Sequence, residues 1–168
     1  MDSNPPSDLL RNLCMKKTAL IFTVICALIA FGAQTGSAQS KRKSAAEWKK
    51  VLTPDQYEIM VEKGTEPAFN NAYWNNHEKG VYVSAATGEV LFTSDDKYDS
   101  HTGWPSFVKP VDPSRIEIVR DNSYGMVRDE VVEKSTGLHL GHVFDDGPAD
   151  RGGKRYCMNS GALKFIKK

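Results

Sequence analysis

A chain of 168 residues, 40% hydrophobic and 26% charged, is long enough for one domain and short for two, and its composition indicates neither a disordered chain nor a multi-span membrane protein. The net charge is +1, and acidic and basic residues balance from Gln39 onward, so no charge excess marks a nucleic-acid partner or an acidic membrane surface.

Lys16-Lys17, an apolar stretch from Ala19 to Ala33 and then Gly36-Ser37-Ala38 follow the order of a signal peptide: basic start, apolar run, small-residue cleavage site. The apolar run is shorter than the ~20 residues of a spanning helix. The expectation is therefore a leader over 1–38, cleaved after Ala38, and an exported, periplasmic domain over 39–168; an uncleaved inner-membrane anchor is the alternative. Met15 begins a more compact leader than Met1 does. Cys26 follows Thr23-Val24-Ile25, whose bulky last residue fits a lipoprotein site poorly. With Cys14 and Cys26 in the leader, Cys157 is the one cysteine of the expected mature chain, an anomaly for an exported protein, where cysteines come in pairs.

Lys41-Arg42-Lys43 reads as a solvated basic start. Ser44 with Glu47, and Thr53 with Gln56 around Pro54, have the spacing of capping boxes and predict two short helices over 45–52 and 54–63, the second closed by Gly64. Tyr57, Met60 and Val61 share one face of the second helix, a packing face. From Gly80 the period becomes strand-like. Val81-Tyr82-Val83 and Glu89–Phe92 flank a turn with Gly88 and predict a hairpin. Further strands are expected over 106–109, 115–121, 125–133, 138–144 and 162–166, separated by clusters of Asp, Asn, Gly and Pro. Short strands at this spacing predict a mainly β fold, an antiparallel barrel or sandwich with the N-terminal helices covering one end.

Three segments carry candidate chemistry. In Arg155-Tyr156-Cys157-Met158-Asn159 the thiol, the guanidinium and the carboxamide share one face if the stretch is extended, because strand side chains alternate. A nearby cation favours the thiolate that a nucleophile requires, while a lone cysteine also serves as a small buried apolar residue. His139 and His142, three apart, suit a general acid with a partner, a metal site completed by carboxylates, or ordinary strand positions. Trp104, between Gly103 and Pro105, is either a core plug or an aromatic face for a small apolar group.

Taken together, His-Leu-Gly-His-Val-Phe-Asp-Asp-Gly-Pro at 139–148, Arg-Tyr-Cys-Met-Asn-Ser at 155–160 and Gly-Trp-Pro-Ser-Phe at 103–107 resemble the methionine-R-sulfoxide reductase B family, as do Gly64-Thr65-Glu66-Pro67 with Phe69 and Gly80-Val81-Tyr82-Val83. The resemblance runs from about Leu52 to Phe165. It implies a cofactor-free oxidoreductase of protein repair under oxidative stress, reducing the R epimer of methionine sulfoxide in oxidised proteins or peptides. Cys157 matches the nucleophile that becomes a sulfenic acid, His142 the proton donor, His139 a second contact to the oxygen, Asn159 the orienting carboxamide and Arg155 the cation favouring the thiolate. Trp104, Phe144 and Asp146 are assigned to the substrate pocket, with Trp104 on the S-methyl group and Asp146 orienting a histidine. The loop from Asp145 to Lys154 is slightly longer than usual for the family.

Two departures set the remaining expectations. Many family members bind a structural zinc through two Cys-x-x-Cys pairs, whose positions here hold Ser84, Thr87, Glu133 and Thr136, so a zinc-free form is expected. Where many relatives have a resolving cysteine, this chain has Thr102, so the resemblance implies a one-cysteine cycle completed by a thioredoxin-like donor; a monomer without nucleic-acid partners is expected. Two other readings stand beside it: an exported β domain that binds methionine-rich segments without turnover, and a thiol peroxidase, which leaves the Trp104 motif unexplained.

Overall fold

The computed structural model describes residues 42–168, and the expected leader with Cys14 and Cys26 lies outside the described residues. Both capping boxes form. Ser44 N–H donates to the Glu47 carboxylate (2.8 Å) and Glu47 N–H to Ser44 Oγ (3.4 Å), opening α1 (Ala45–Trp48). Thr53 and Gln56 exchange the same pair of bonds at the start of α2 (Pro54–Met60). Both helices are shorter than expected. Thr53 takes the extended backbone that a residue before proline prefers, which stops any helix approaching from α1. After α2, Lys63 turns to φ 60° and Gly64 N–H closes onto the Glu58 carbonyl. Helices of this length depend on packing, and Trp48, Ile59 and Met60 are buried in the core.

Among the described residues nine strands follow: β1 (Gly80–Ser84), β2 (Val90–Thr93), β3 (Lys97–Tyr98), β4 (Ser106–Phe107), β5 (Ile116–Asp121), β6 (Arg128–Glu133), β7 (His139–Phe144), β8 (Arg155–Met158) and β9 (Leu163–Lys167). They make two antiparallel sheets, β2-β1-β9 and β3-β4-β8-β7-β6-β5. The expected strand over 125–133 begins only at Arg128, because Ser123–Gly125 form a 3-10 turn with Gly125 at φ 70°. β3 is too short and too polar to announce itself in the sequence. The sheets meet through aromatic rings: Phe107 of the larger sheet lies 4.4 Å from Phe92, stacked, and 5.0 Å from Tyr82. Leu91, Val131, Leu140 and Met158 complete this fully buried centre, which accounts for the mainly β, antiparallel architecture.

A second, polar link joins the sheets. Glu133, at the end of β6 and fully buried, accepts hydrogen bonds from Thr87 Oγ1 in the β1–β2 turn (2.5 Å) and from Thr136 Oγ1 (2.7 Å). Ser84 Oγ accepts from the backbone N–H groups of Ala86 and Thr87. All four residues at the family's zinc positions are thus drawn into one neighbourhood as a hydrogen-bonded cluster.

β7 carries the irregularity that builds the site. Val131 pairs with Gly141 but Val132 with His139, so two β7 residues pass for one on β6. In a regular strand, residues three apart point to opposite faces; this bulge shifts the alternation, and the His139 and His142 rings approach to 5.2 Å.

Candidate active site

Cys157 lies on β8 between two strands, opposite Ser106 of β4 and opposite His142 of β7. Directly opposed residues place their Cβ atoms ~4.5–5.5 Å apart on one face. β7 and β8 come unusually close here, since a Cβ on Gly141 would sit 2.1 Å from the Cys157 carbonyl oxygen, and only glycine fits. Burial pushes the Cys157 thiol above its ordinary pKa. The Arg155 guanidinium is the leading opposing influence, followed by hydrogen bonds from the Thr102 and Ser106 hydroxyls. Ser100 Oγ bridges those two hydroxyls, at 2.8 Å from Thr102 and 2.7 Å from Ser106.

Arg155 is held rigidly. Its Nε and Nη2 each donate to Asp146 at 2.8 Å, and its guanidinium lies 4.4 Å above the Phe144 ring. Asp146 was expected to orient a histidine; in the structure it orients Arg155. The loop that carries it closes on itself through Gly147 N–H to the Gly153 carbonyl.

The two histidines have different partners. His142 Nε2 lies 2.9 Å from Asp121 Oδ2, and Asp121 also accepts from Arg128 Nη2 (2.7 Å) and Ser123 N–H (2.9 Å). These bonds, those from Ser123 foremost, hold the Asp121 carboxyl far below the ordinary carboxylate range. His139 is buried and its Nδ1 lies 2.8 Å from Glu130, whose other oxygen accepts from Lys63. Burial pulls the His139 pKa down against the opposing Glu130 carboxylate. With Nδ1–H donated to Glu130, Nε2 accepts from Asn159 Nδ2 at 3.4 Å. Asn159 also donates to the Leu140 carbonyl (3.3 Å) and accepts from Glu66 N–H (3.3 Å). The polar atoms of His139 and Asn159 are therefore committed to the protein.

A cavity of about 130 Å³ opens over Cys157, walled by Thr65, Trp104, Arg128, Gly141, His142, Phe144, Met158 and Asn159. It falls below the ~300–1,000 Å³ typical of small-molecule sites, and suits the end of one side chain rather than a cofactor. Trp104 Nε1–H donates to the Glu66 carbonyl (3.0 Å), which fixes the indole on the wall. Gly103 permits that loop, with φ 89° and a Cβ position only 2.7 Å from Phe69 N. Of the expected site residues, Cys157, His142, Asn159, Trp104 and Phe144 line the cavity; Arg155 acts from beside it, His139 from behind Asn159, and Asp146 through Arg155.

Sequence reasoning missed Asp121, Arg128, Glu130 and the role of Ser106. A signal existed for one pair: the β5–β6 hairpin sets Asp121 directly opposite Arg128, and opposite charges at a hairpin mouth are a recognisable cross-strand pair. Arg128 Nε is buried with no partner among the described residues, a donor left over at the cavity. Among the described residues, no group of three or more His, Cys, Asp or Glu side chains is placed to hold a metal. The hydroxyl-rich cluster at Glu133, with one carboxylate already satisfied, does not fit a zinc ion, which takes thiolates, imidazoles and carboxylates.

The family model described as the SelR domain matches residues 52–167. The chain is similar to the peptide methionine sulfoxide reductase MsrB of Leptospira interrogans serogroup Icterohaemorrhagiae serovar Lai (strain 56601), at 54% identity over 125 residues, which cover 74% of this chain and 95% of that protein.

Proposed function

The chain belongs to the SelR-domain family, and from that premise we propose that it is an oxidoreductase returning the R epimer of methionine sulfoxide to methionine, with protein-bound residues as the preferred substrate. The observation that carries this reading is Cys157 facing His142 across β7 and β8 beneath a cavity walled by Trp104 and Phe144. An oxide leaves sulfur poorly unless it is protonated, so the reaction needs a nucleophile and an acid on one face. The Cys157 thiolate attacks the sulfoxide sulfur while His142, oriented by Asp121, delivers a proton to the oxygen. Two electrons pass from the cysteine sulfur to the methionine sulfur, the oxygen ends on Cys157 as a sulfenic acid, and methionine leaves. Trp104 receives the S-methyl group, and its fixed side of the cavity selects the epimer.

His139 and Asn159 support the site as a positioning pair rather than as direct contacts to the oxygen, because their polar atoms already have partners. Thr102 has no thiol to offer and lies within hydrogen-bonding influence of Cys157. An external thiol therefore attacks the sulfenic acid, releasing water and leaving a mixed disulfide. A second thiol of the same donor, a thioredoxin-like protein, frees Cys157. The protein is a zinc-free form, with the Glu133 cluster in place of the metal. It is exported to the periplasm as a monomer after cleavage near Ala38, which N-terminal sequencing of the cellular protein and its elution volume test.

Turnover of the separated R and S epimers with dithiothreitol tests the reaction. Reduction of R alone is expected, and equal reduction of both epimers, or of neither, overturns it. Mass spectrometry of residues 39–168 after one turnover should find Cys157 as a sulfenic acid trapped by dimedone. In the full chain, a disulfide from Cys157 to Cys14 or Cys26 after turnover would sink the one-cysteine cycle. Cys157→Ser should abolish reduction and leave the fold intact.

A further inference from the structure

A second, larger cavity, about 420 Å³, lies on the other side of Thr65, which lines both. Its walls combine the apolar surfaces of Ile59, Pro67 and Tyr73 with the carboxylates of Asp55 and Glu58 on exposed positions of α2. Asp55 and Glu58 are three apart on the helix and so neighbours on its surface. Among the described residues neither enters an ion pair. Lys63 is paired with Glu130, Lys49 lies over the Tyr57 ring, and no lysine or arginine lines the cavity. Glu66, also in this wall, is turned inward and spends both oxygens on the backbone N–H groups of Ser160 and Gly161. Two uncompensated carboxylates remain at the rim of a partly apolar groove that continues the wall of the sulfoxide cavity.

We propose that this cavity is a subsite for a lysine or arginine side chain flanking the oxidised methionine in a polypeptide substrate. The inference rests on the reading of the Cys157 cavity as the sulfoxide site. A lysine or arginine fits because its methylene stem covers apolar surface while its charged head stays at the rim. Here the stem lies along Ile59, Pro67 and Tyr73, and the head reaches Asp55 and Glu58. A glutamate in the same place would meet two like charges. Free methionine sulfoxide, with no neighbouring side chain, leaves the subsite empty. The substrate class is thus a basic stretch of an oxidised protein.

The test compares peptides of one length carrying methionine-R-sulfoxide with Lys, Ala or Glu at the two positions on either side. The Lys peptide should exceed the Glu peptide in kcat/KM by about 3- to 10-fold, as expected for rim charges, and 0.5 M NaCl should shrink the ratio. In the Asp55→Asn, Glu58→Gln double variant the ratio should fall to within about 2-fold. Glu62→Gln, an exposed charge outside the cavity, should retain it. Equal turnover of all three peptides by the parent, or a preference that survives in the double variant, overturns the subsite while leaving the sulfoxide reading intact. Failure to reduce any R-sulfoxide overturns both.

Discussion

Replacing Thr87 by valine removes one hydroxyl and almost no volume, and it removes the hydrogen bond by which the β1–β2 turn reaches Glu133 of the larger sheet. Glu133 is fully buried and keeps two hydrogen-bond donors, Thr87 Oγ1 and Thr136 Oγ1. A hydrogen bond to a charged group contributes about 1.5–3 kcal/mol net, and stripping one carboxylate oxygen of its partner exposes that full value. The bond from Glu89 N–H to Thr87 Oγ1 is also lost, but Thr87 lies at an exposed turn where water replaces it. The expected loss for Thr87→Val is thus about 1.5–3 kcal/mol, or roughly 5–12 °C in Tm for a domain of this size. Urea unfolding of the parent and the variant measures it, with the midpoint falling and the m-value unchanged. Thr87→Ser keeps the donor and should recover most of the loss. A double-mutant cycle with Glu133→Gln should return a coupling of about 0.5–3 kcal/mol. A Thr87→Val variant within 0.5 kcal/mol of the parent, roughly the scale of a neutral surface change, would refute the cluster as a cross-link.

His142→Asn should slow the chemical step by ~10²–10⁴-fold in single-turnover reduction, the range for a lost general acid. Arg155→Met removes the main influence opposing the rise of the Cys157 thiol pKa. The pH profile of Cys157 alkylation should then move to higher pH, with Arg155→Lys in between; superimposable profiles would exclude the role. Asp121 is depressed below its ordinary 3.8, chiefly by Ser123 and then by His142 and Arg128. A depressed carboxyl contributes stability that is present above its unfolded value and lost as pH falls through its folded one. Asp121→Asn should therefore be less stable than the parent at pH 7, with the gap closing below about pH 4 in urea unfolding.

Local chemistry made much of this molecule readable. Ser44–Glu47 and Thr53–Gln56 announced both helix starts because a capping box is complete within four residues. Most strand segments announced themselves by alternation, β3 and β8 excepted, and the site motifs by their resemblance to a known family. What stayed hidden depends on pairing register. Ser106 becomes a neighbour of the thiol only because β4 lies against β8, and neither strand length nor composition fixes that. Asp121 reaches His142 from a hairpin mouth two strands away. The bulge in β7 is invisible in His-Leu-Gly-His, yet without it the histidines would face apart.

That bulge also explains why two similar histidines have different parts. It turns His139 inward, where Glu130 and Asn159 satisfy both ring nitrogens and burial favours the neutral ring. A ring so held can neither approach a substrate oxygen nor readily carry a charge; what it can do is hold Asn159, and through Glu66 N–H hold the segment whose carbonyl fixes Trp104. His142, on the cavity side, sits opposite Cys157 and is bonded to a carboxylate that stays ionised across the working pH range. On the proposed mechanism, the inner pair sets the shape of the pocket and the outer pair moves the proton. Loss of His139 should accordingly appear in KM and epimer selectivity, and loss of His142 in kcat, a split that steady-state kinetics on the R and S epimers resolves.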